Sequence, residues 1–107
     1  MTKEDLIKML QSENDFTCVE CEKLIDIYIN NYNFSIEELE KRIPTFSITK
    51  FTGYDELFEY GDPELYQKLL DKDALIYFDC EHWAQDYEMN SDCDISEIEG
   101  SLFETWF

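Results

Sequence analysis

The chain has 107 residues, and its 26 Asp and Glu residues against 8 Lys and Arg residues give a formal net charge of −18. This charge excludes direct nucleic-acid binding as a default function, because phosphates require a basic surface. Disorder is also disfavoured, because 44% of the residues are hydrophobic, 16% are aromatic, and only three glycines and two prolines are present. The composition therefore indicates a folded protein with an unusually acidic surface.

The sequence gives no indication of export or of membrane insertion. The first ten residues lack the basic start and apolar run of a signal peptide, and no stretch approaches the roughly 20 apolar residues of a membrane span. With nothing that points to secretion, the four cysteines are predicted to be reduced thiols. We therefore expect a cytoplasmic protein with no membrane partner.

Charge is distributed unevenly along the chain. Residues 1–53 hold ten acidic and six basic residues, a net of −4. Residues 54–107 hold 16 acidic residues and only Lys68 and Lys72, a net of −14. Because no linker rich in glycine, serine or proline separates the two halves, we do not expect a folded domain that carries an acidic tail.

Three helices are predicted in the first 45 residues, each opened by a hydroxyl side chain at its N-cap: Thr2, Thr17 and Ser35. The first helix is short and amphipathic, and the second runs to about Tyr32. Glu38, three residues after Ser35, completes a capping box for the third helix. Pro44 is expected to end it.

After residue 45 the pattern mixes strands and helices. The predicted elements are a strand at 46–51, helices at 54–60, 63–72 and 80–89, and a hairpin of strands 93–98 and 102–107. Asp62 and Asp79 are expected to cap the second and third of these helices. Glu99 and Gly100 are expected to form the turn of the hairpin. Residues 75–78 form an apolar run of ambiguous type.

These elements predict an α+β fold, with a helical N-terminal half packed with a small antiparallel sheet and short helices in the C-terminal half. We expect a single compact domain over residues 1–107. Within it, residues 1–45 would form a helical subregion and residues 46–107 an acidic α+β subregion.

A pair of cysteines, Cys18 and Cys21, is spaced as in many zinc sites, and Cys80, His82 and Cys93 could complete such a site. Against this, Cys18 and Cys21 fall on the apolar stripe of their own helix, so buried structural thiols are the favoured interpretation. A redox pair of the thioredoxin type would need a preceding strand, which is not predicted. A small zinc module therefore stays open as a lesser hypothesis.

The sequence contains none of the common catalytic motifs. The sequence has no serine-centred elbow, no glycine-rich phosphate loop and no HExxH pair. Cys80 and His82 lie two residues apart and would point to different sides of a helix. The stretch 92–96 resembles the start of an EF-hand loop, but Glu97 stands where that loop needs glycine. We therefore predict no enzymatic activity, no catalytic residue, no metal and no cofactor.

The acidic surplus of the second half is larger than solubility requires. A net charge of about 2–8 is sufficient for a small domain, and a surplus of 14 destabilises the compact state by self-repulsion. B-DNA carries one negative charge per roughly 1.7 Å of axis, so fourteen charges correspond to about 24 Å of duplex. A face of this kind could occupy a DNA-binding groove, although charge alone would suit any basic partner.

The stretch Tyr77-Phe-Asp-Cys-Glu-His-Trp-Ala-Gln-Asp-Tyr-Glu-Met89 resembles the C-terminal signature of the ArdA antirestriction proteins. That signature has a tyrosine, an apolar residue and an aspartate, followed by a helix that ends in an acidic pair. In the family it leads into a final strand or hairpin, as residues 99–107 could here. The resemblance covers residues 54–107, whereas residues 1–45 look like an unrelated helical unit.

By this resemblance the chain would be an acidic DNA mimic of a phage or mobile element that blocks type I restriction enzymes, and a homodimer would be expected. Tyr77, Asp79, Ala84 and Asp86 would occupy the motif positions. We expect Asp79 to cap the helix, Tyr77 and Ala84 to pack, and Asp86 and Glu88 to lie on the surface. A small acidic chain of this kind also suits the anti-CRISPR proteins.

Our first hypothesis is an anti-defence protein that occludes the DNA-binding site of a host restriction or CRISPR nuclease complex. Aromatic residues exposed beside the acids would add contact area. The residues predicted to bind this partner are Tyr54, Asp55, Glu56, Phe58, Glu59, Tyr60, Asp86, Glu88, Asp92, Asp94, Glu97 and Glu99.

A different hypothesis is an acidic adaptor or regulator that binds a basic host protein through its helical N-terminal half. Under this hypothesis no DNA site is involved. Reversal of Asp86, Glu88, Asp92 and Asp94 to lysine would then leave partner binding intact, whereas it would abolish inhibition by a DNA mimic.

Overall fold

The computed structural model describes residues 1–107 and is 62% helical, with a small three-stranded antiparallel sheet. This confirms the predicted α+β class. The helices are α1 (Lys3–Glu13), α2 (Cys18–Tyr32), α3 (Ile36–Arg42), α4 (Tyr54–Gly61), α5 (Pro63–Asp71) and α6 (Cys80–Met89). The strands are β1 (Ser47–Phe51), β2 (Cys93–Ile98) and β3 (Ser101–Trp106), and two 3-10 turns lie at Ile43–Thr45 and Leu75–Tyr77.

Contacts divide the chain into two compact units. The first unit comprises residues 1–48 together with Phe107, and the second unit comprises residues 49–106. Helices α1, α2 and α3 lie in the first unit, and helices α4, α5 and α6 with strands β2 and β3 lie in the second unit. None of the helices in either unit is long and apolar enough to cross a membrane.

The helices of the first unit begin with the predicted capping boxes. The side chains of Thr2, Thr17 and Ser35 each accept a hydrogen bond from the backbone N–H three residues later, and the acid at that position accepts one in return. Each pair satisfies two of the free N–H groups at a helix start. Helix α1 packs against α2 and α3. Lys3 forms an ion pair with Asp26 on α2 at 2.5 Å.

Aromatic rings gather at the end of the first unit. The Phe46 ring lies edge-on to Tyr28 at 5.4 Å and to Phe107 at 5.1 Å between centroids. Phe34 approaches Phe46 and Phe107 at about 6 Å, and the Arg42 guanidinium lies 5.4 Å from the centre of the Phe34 ring. Edge-to-face rings and a cation over an aromatic face are both favourable arrangements.

The second unit is built on the terminal hairpin. Strands β2 and β3 pair antiparallel, from Cys93 opposite Trp106 to Ile98 opposite Ser101. Glu99 and Gly100 form the turn, with φ angles of 52° and 81°. A two-residue turn with positive φ at both positions matches the twist of the strands, and glycine adopts this conformation without strain. Strand β3 lies between β1 and β2.

The core of the second unit forms where α4 and α6 pack on the sheet. Phe51, Leu57, Ala84 and Leu102 form one buried cluster, against which Tyr54, Trp83 and Ile95 pack. Gly61 ends α4 beneath the Trp83 ring, and a Cβ atom there would lie 2.3 Å from the ring. The glycine therefore allows the close approach of the indole.

Candidate functional site

Most acids of the second unit are exposed. Residues 49–106 carry 16 acidic and three basic residues, a net of −13, whereas the first unit has a net of −5. Twelve of the 16 acidic side chains are exposed: Asp55, Glu56, Glu59, Glu64, Asp71, Asp73, Asp79, Glu81, Asp86, Asp92, Glu97 and Glu99. The surplus charge of the second unit is therefore presented to solvent.

Carboxylates on two elements act electrostatically on Tyr54 at the start of α4. Burial raises the pKa of the Tyr54 hydroxyl, and three nearby negative charges raise it further. These charges belong to Glu81 and Glu88 on α6 and to Glu97 on β2. We call Tyr54, Glu81, Glu88 and Glu97, with the neighbouring Asp55, the Tyr54 acidic cluster.

Asp55 joins the same region through Cys80. Burial raises the pKa of the Cys80 thiol to about 11, and a hydrogen bond to Asp55 adds to the shift. The charges of Asp55 and Asp79 act in the same direction. Because Cys80 begins α6, this contact brings the first turns of α4 and α6 together with their acids.

Three predicted binding residues make hydrogen bonds within the fold. Glu88 is half-buried, and its carboxylate accepts a hydrogen bond from the backbone N–H of Ile95. Asp94 is buried and accepts a hydrogen bond of 2.5 Å from the Ser96 hydroxyl. The prediction that Asp94 is a surface residue is wrong, because its position in β2 turns the side chain into the protein. Glu56 is exposed, but both the N–H and the hydroxyl of Thr52 donate to it.

The remaining predicted acids are exposed at the surface. Asp86 lies 3.4 Å from the imidazole of His82, one turn earlier on α6. Glu59 lies on α4, Asp92 precedes β2, and Glu99 lies in the hairpin turn. These four acids are therefore accessible.

The aromatic residues predicted to bind the partner differ in how far they are exposed. Tyr60 is 58% exposed, in agreement with the prediction, and Tyr54 is half-buried. Phe58 is fully buried and stacks on Phe78 with a centroid distance of 4.5 Å, so its prediction as an exposed contact residue is wrong. Tyr77, which was expected to pack, is instead 85% exposed.

Glu81 belongs to the Tyr54 acidic cluster but was missed among the binding residues. Its position in the first turn of α6 indicates only a favourable interaction with the helix dipole. No sequence pattern predicts that this charge also acts on a tyrosine of another helix, because that effect arises only when α4 and α6 pack together.

One carboxylate of the second unit is fully buried. Glu104 on β3 is 1% exposed, and its Oε1 atom accepts a hydrogen bond of 2.8 Å from the indole N–H of Trp106. The second carboxylate oxygen has no hydrogen-bond partner. Burial and the neighbouring charge of Glu104 raise the pKa of the Tyr87 hydroxyl well above its ordinary value. Glu104 thus acts within the fold and contributes nothing to the exposed surface.

The cysteines are free thiols, three of them buried. Cys18 is exposed and lines a groove beside α1, so the expectation that it lies on the buried stripe of α2 is wrong. The buried face of α2 begins at Glu20 and Cys21 instead. No three His, Cys, Asp or Glu side chains are arranged to hold a metal ion.

Comparisons with known proteins find no match for this chain, whether with models of protein families, with curated proteins or with solved structures.

Proposed function

We propose that this protein is an anti-defence protein of a phage or mobile element that imitates DNA. It would bind the DNA-binding site of a host restriction or CRISPR nuclease complex and block it by stoichiometric occlusion. The observation that carries the proposal is the Tyr54 acidic cluster. Its carboxylates on α4, α6 and β2 act on Tyr54 and Cys80, and the unit that carries them has a net charge of −13 and twelve exposed acidic side chains.

A DNA-binding channel offers the complementary surface. Its lysines and arginines are spaced to neutralise phosphates, and carboxylates held on a folded surface can meet the same groups. The negative potential of the whole unit would accelerate association with such a channel, and added salt would screen the attraction. Asp55, Glu81 and Glu97 of the cluster are exposed and would be available for these contacts.

Competition for the enzyme tests this proposal. Fluorescent duplex DNA is bound to a purified type I restriction enzyme, and in parallel to a purified CRISPR effector complex, and the protein is titrated into each mixture. We expect displacement of DNA from at least one enzyme at stoichiometric protein, and weaker displacement as salt is increased. A stable ternary complex of enzyme, DNA and protein would contradict occlusion, and no binding to either enzyme would contradict the choice of target class.

A further inference from the structure

The 3-10 turn between α5 and α6 presents two large apolar side chains to solvent. Ile76 is 83% exposed and Tyr77 is 85% exposed. Leu70, near the end of α5, is 46% exposed. A groove of about 350 Å³ beside them is lined by Leu70, Asp73, Leu75 and Ile76. We call Leu70, Leu75, Ile76 and Tyr77 the Ile76–Tyr77 patch.

Backbone hydrogen bonds hold this patch in place. At the end of α5 the N–H of Asp73 donates to Leu70 and the N–H of Ala74 donates to Leu69, at 3.2 and 2.8 Å. Asp73 has a φ angle of 51°, so the helix closes with a left-handed residue, as in a Schellman motif. The turn that carries Ile76 and Tyr77 therefore comes directly after a helix end whose backbone is fixed by hydrogen bonds.

The far side of the turn is anchored as well. The N–H of Tyr77 donates to the carbonyl of Ala74, and the N–H of Phe78 donates to that of Leu75, each at 3.1 Å. The next side chain, Phe78, stacks on buried Phe58. A partner would therefore meet a backbone segment that needs little ordering on binding, and this saves part of the entropic cost of association.

We propose that the Ile76–Tyr77 patch inserts into an apolar pocket on a basic protein partner. This deepens the proposed function and rests on it, since the partner would be the same DNA-binding enzyme, contacted beside its DNA channel. Large apolar side chains in an acidic stretch of chain match the arrangement of interface hot spots, in which polar residues surround a central apolar anchor.

Charge identifies the kind of partner. Residues 62–81, which contain the patch, carry six acids and two lysines, and the whole second unit has a net charge of −13. A second copy of the chain would bring the same charge, and an anionic membrane would be repelled as well. A basic protein is the partner whose binding would be favoured both by charge attraction and by burial of the apolar side chains.

Two short peptides of equal charge test this inference without a defence enzyme. One is an amphipathic helix of lysine and leucine, and the other has serine in place of every leucine. We expect the leucine peptide to bind at least about tenfold more tightly by calorimetry, with NMR shift changes centred on Ile76 and Tyr77. The double variant Ile76→Ser/Tyr77→Ser should reduce its affinity to that of the serine peptide.

Met89→Ser is the matched control, because Met89 is also 83% exposed but lies at the end of α6. It should leave leucine-peptide binding unchanged, and both variants should keep the wild-type melting temperature. Equal affinity for the two peptides, or an equal loss in both variants, would overturn the inference. Self-association of the free protein that disappears in the Ile76/Tyr77 variant would also overturn it, in favour of a second copy. None of these outcomes depends on DNA displacement, so the proposed function is judged separately.

Discussion

The two units use acidic residues in different ways. In the first unit acids complete the capping boxes of α1, α2 and α3, and Asp26 is neutralised by Lys3. In the second unit Asp62 and Asp79 also cap helices, but the unit has 16 acids against three bases. The acids around Tyr54 exceed what capping and pairing require.

This difference separates charge that helps folding from charge that opposes it. A capping carboxylate satisfies free N–H groups and interacts well with the helix dipole. Clustered carboxylates repel one another, and the second unit must offset that repulsion with its apolar core. If the proposed function is right, the repulsion is the cost of a surface kept for a basic partner.

The largest change in unfolding free energy is expected from a substitution in the apolar core of the second unit. Phe58 is fully buried and contacts the rings of Phe78 and Trp83 at 4.5 and 5.0 Å. Phe58→Ala should lower the free energy of unfolding by about 3–5 kcal/mol, because it leaves a cavity among these rings. Urea denaturation measures the loss.

The control for this change is Tyr60→Ala, two residues later on the same helix. Its side chain is 58% exposed and touches only the edge of the core at Phe51. We expect a loss below about 1 kcal/mol. Equal losses in the two variants would mean that burial of Phe58 adds no more to the stability of the second unit than the exposed Tyr60 does.

Alkaline pH should weaken the second unit more than the first. Burial raises the pKa of the Cys80 thiol to about 11 and that of Cys93 to about 12, from an ordinary value of 9.0. A folded-state pKa above the unfolded value gives stability that is complete below pH 9 and is lost as the pH rises toward 11–12. Tyr87, whose pKa is also raised, adds to the loss above pH 10.

Cysteine variants sharpen this comparison. In the first unit burial raises the pKa of the Cys21 thiol to about 11. Replacing Cys80 and Cys93 by alanine should flatten the fall of unfolding free energy above pH 9 more than Cys21→Ala does. Equal slopes for the two variants, from urea titrations at pH 8 to 10.5, would show that the thiols do not govern the alkaline response.

The smallest effect concerns the helix caps. Ser35 and Asp79 each accept a hydrogen bond from the N–H three residues later, at 3.1 and 2.9 Å. Ser35→Ala should cost about 1 kcal/mol. Asp79→Ala should cost less at low salt, because it also removes a charge from the repulsive unit. Thermal melts at low and high salt should show the two costs converging as salt screens the repulsion.

Local signals predict much of this fold. The span of α6 and that of β2 match the sequence prediction, because Asp79 marks the helix start and Glu99-Gly100 marks the turn. The three capping boxes of the first unit follow a pattern that depends on residues three positions apart. Features set within a few residues of chain were therefore predictable.

Features that depend on packing were not predictable. Phe58 and Tyr60 are neighbours on one short helix, and only the position of α6 decides which of them is buried. The exposure of Tyr77 depends on how the 3-10 turn directs Phe78 inward. The effect of the Glu81 charge on Tyr54 likewise needs α4 and α6 to pack together. Part of the candidate site therefore required the tertiary structure.

The central claim is that the acids of the second unit, and not acidity in general, compete with DNA. Two triple variants with the same change in charge test it most directly. Asp55→Lys/Glu81→Lys/Glu97→Lys alters the Tyr54 acidic cluster, and Glu13→Lys/Asp15→Lys/Glu40→Lys alters exposed acids of the first unit. The measurement is the concentration of each that displaces half of the DNA from the inhibited enzyme.

We expect the cluster variant to require at least about tenfold more protein than wild type, and to lose most of its salt dependence. The first-unit variant should stay close to wild type. Equal losses in the two variants would reduce the effect to net charge. A larger loss in the first-unit variant would contradict the account and would favour binding through the helical half.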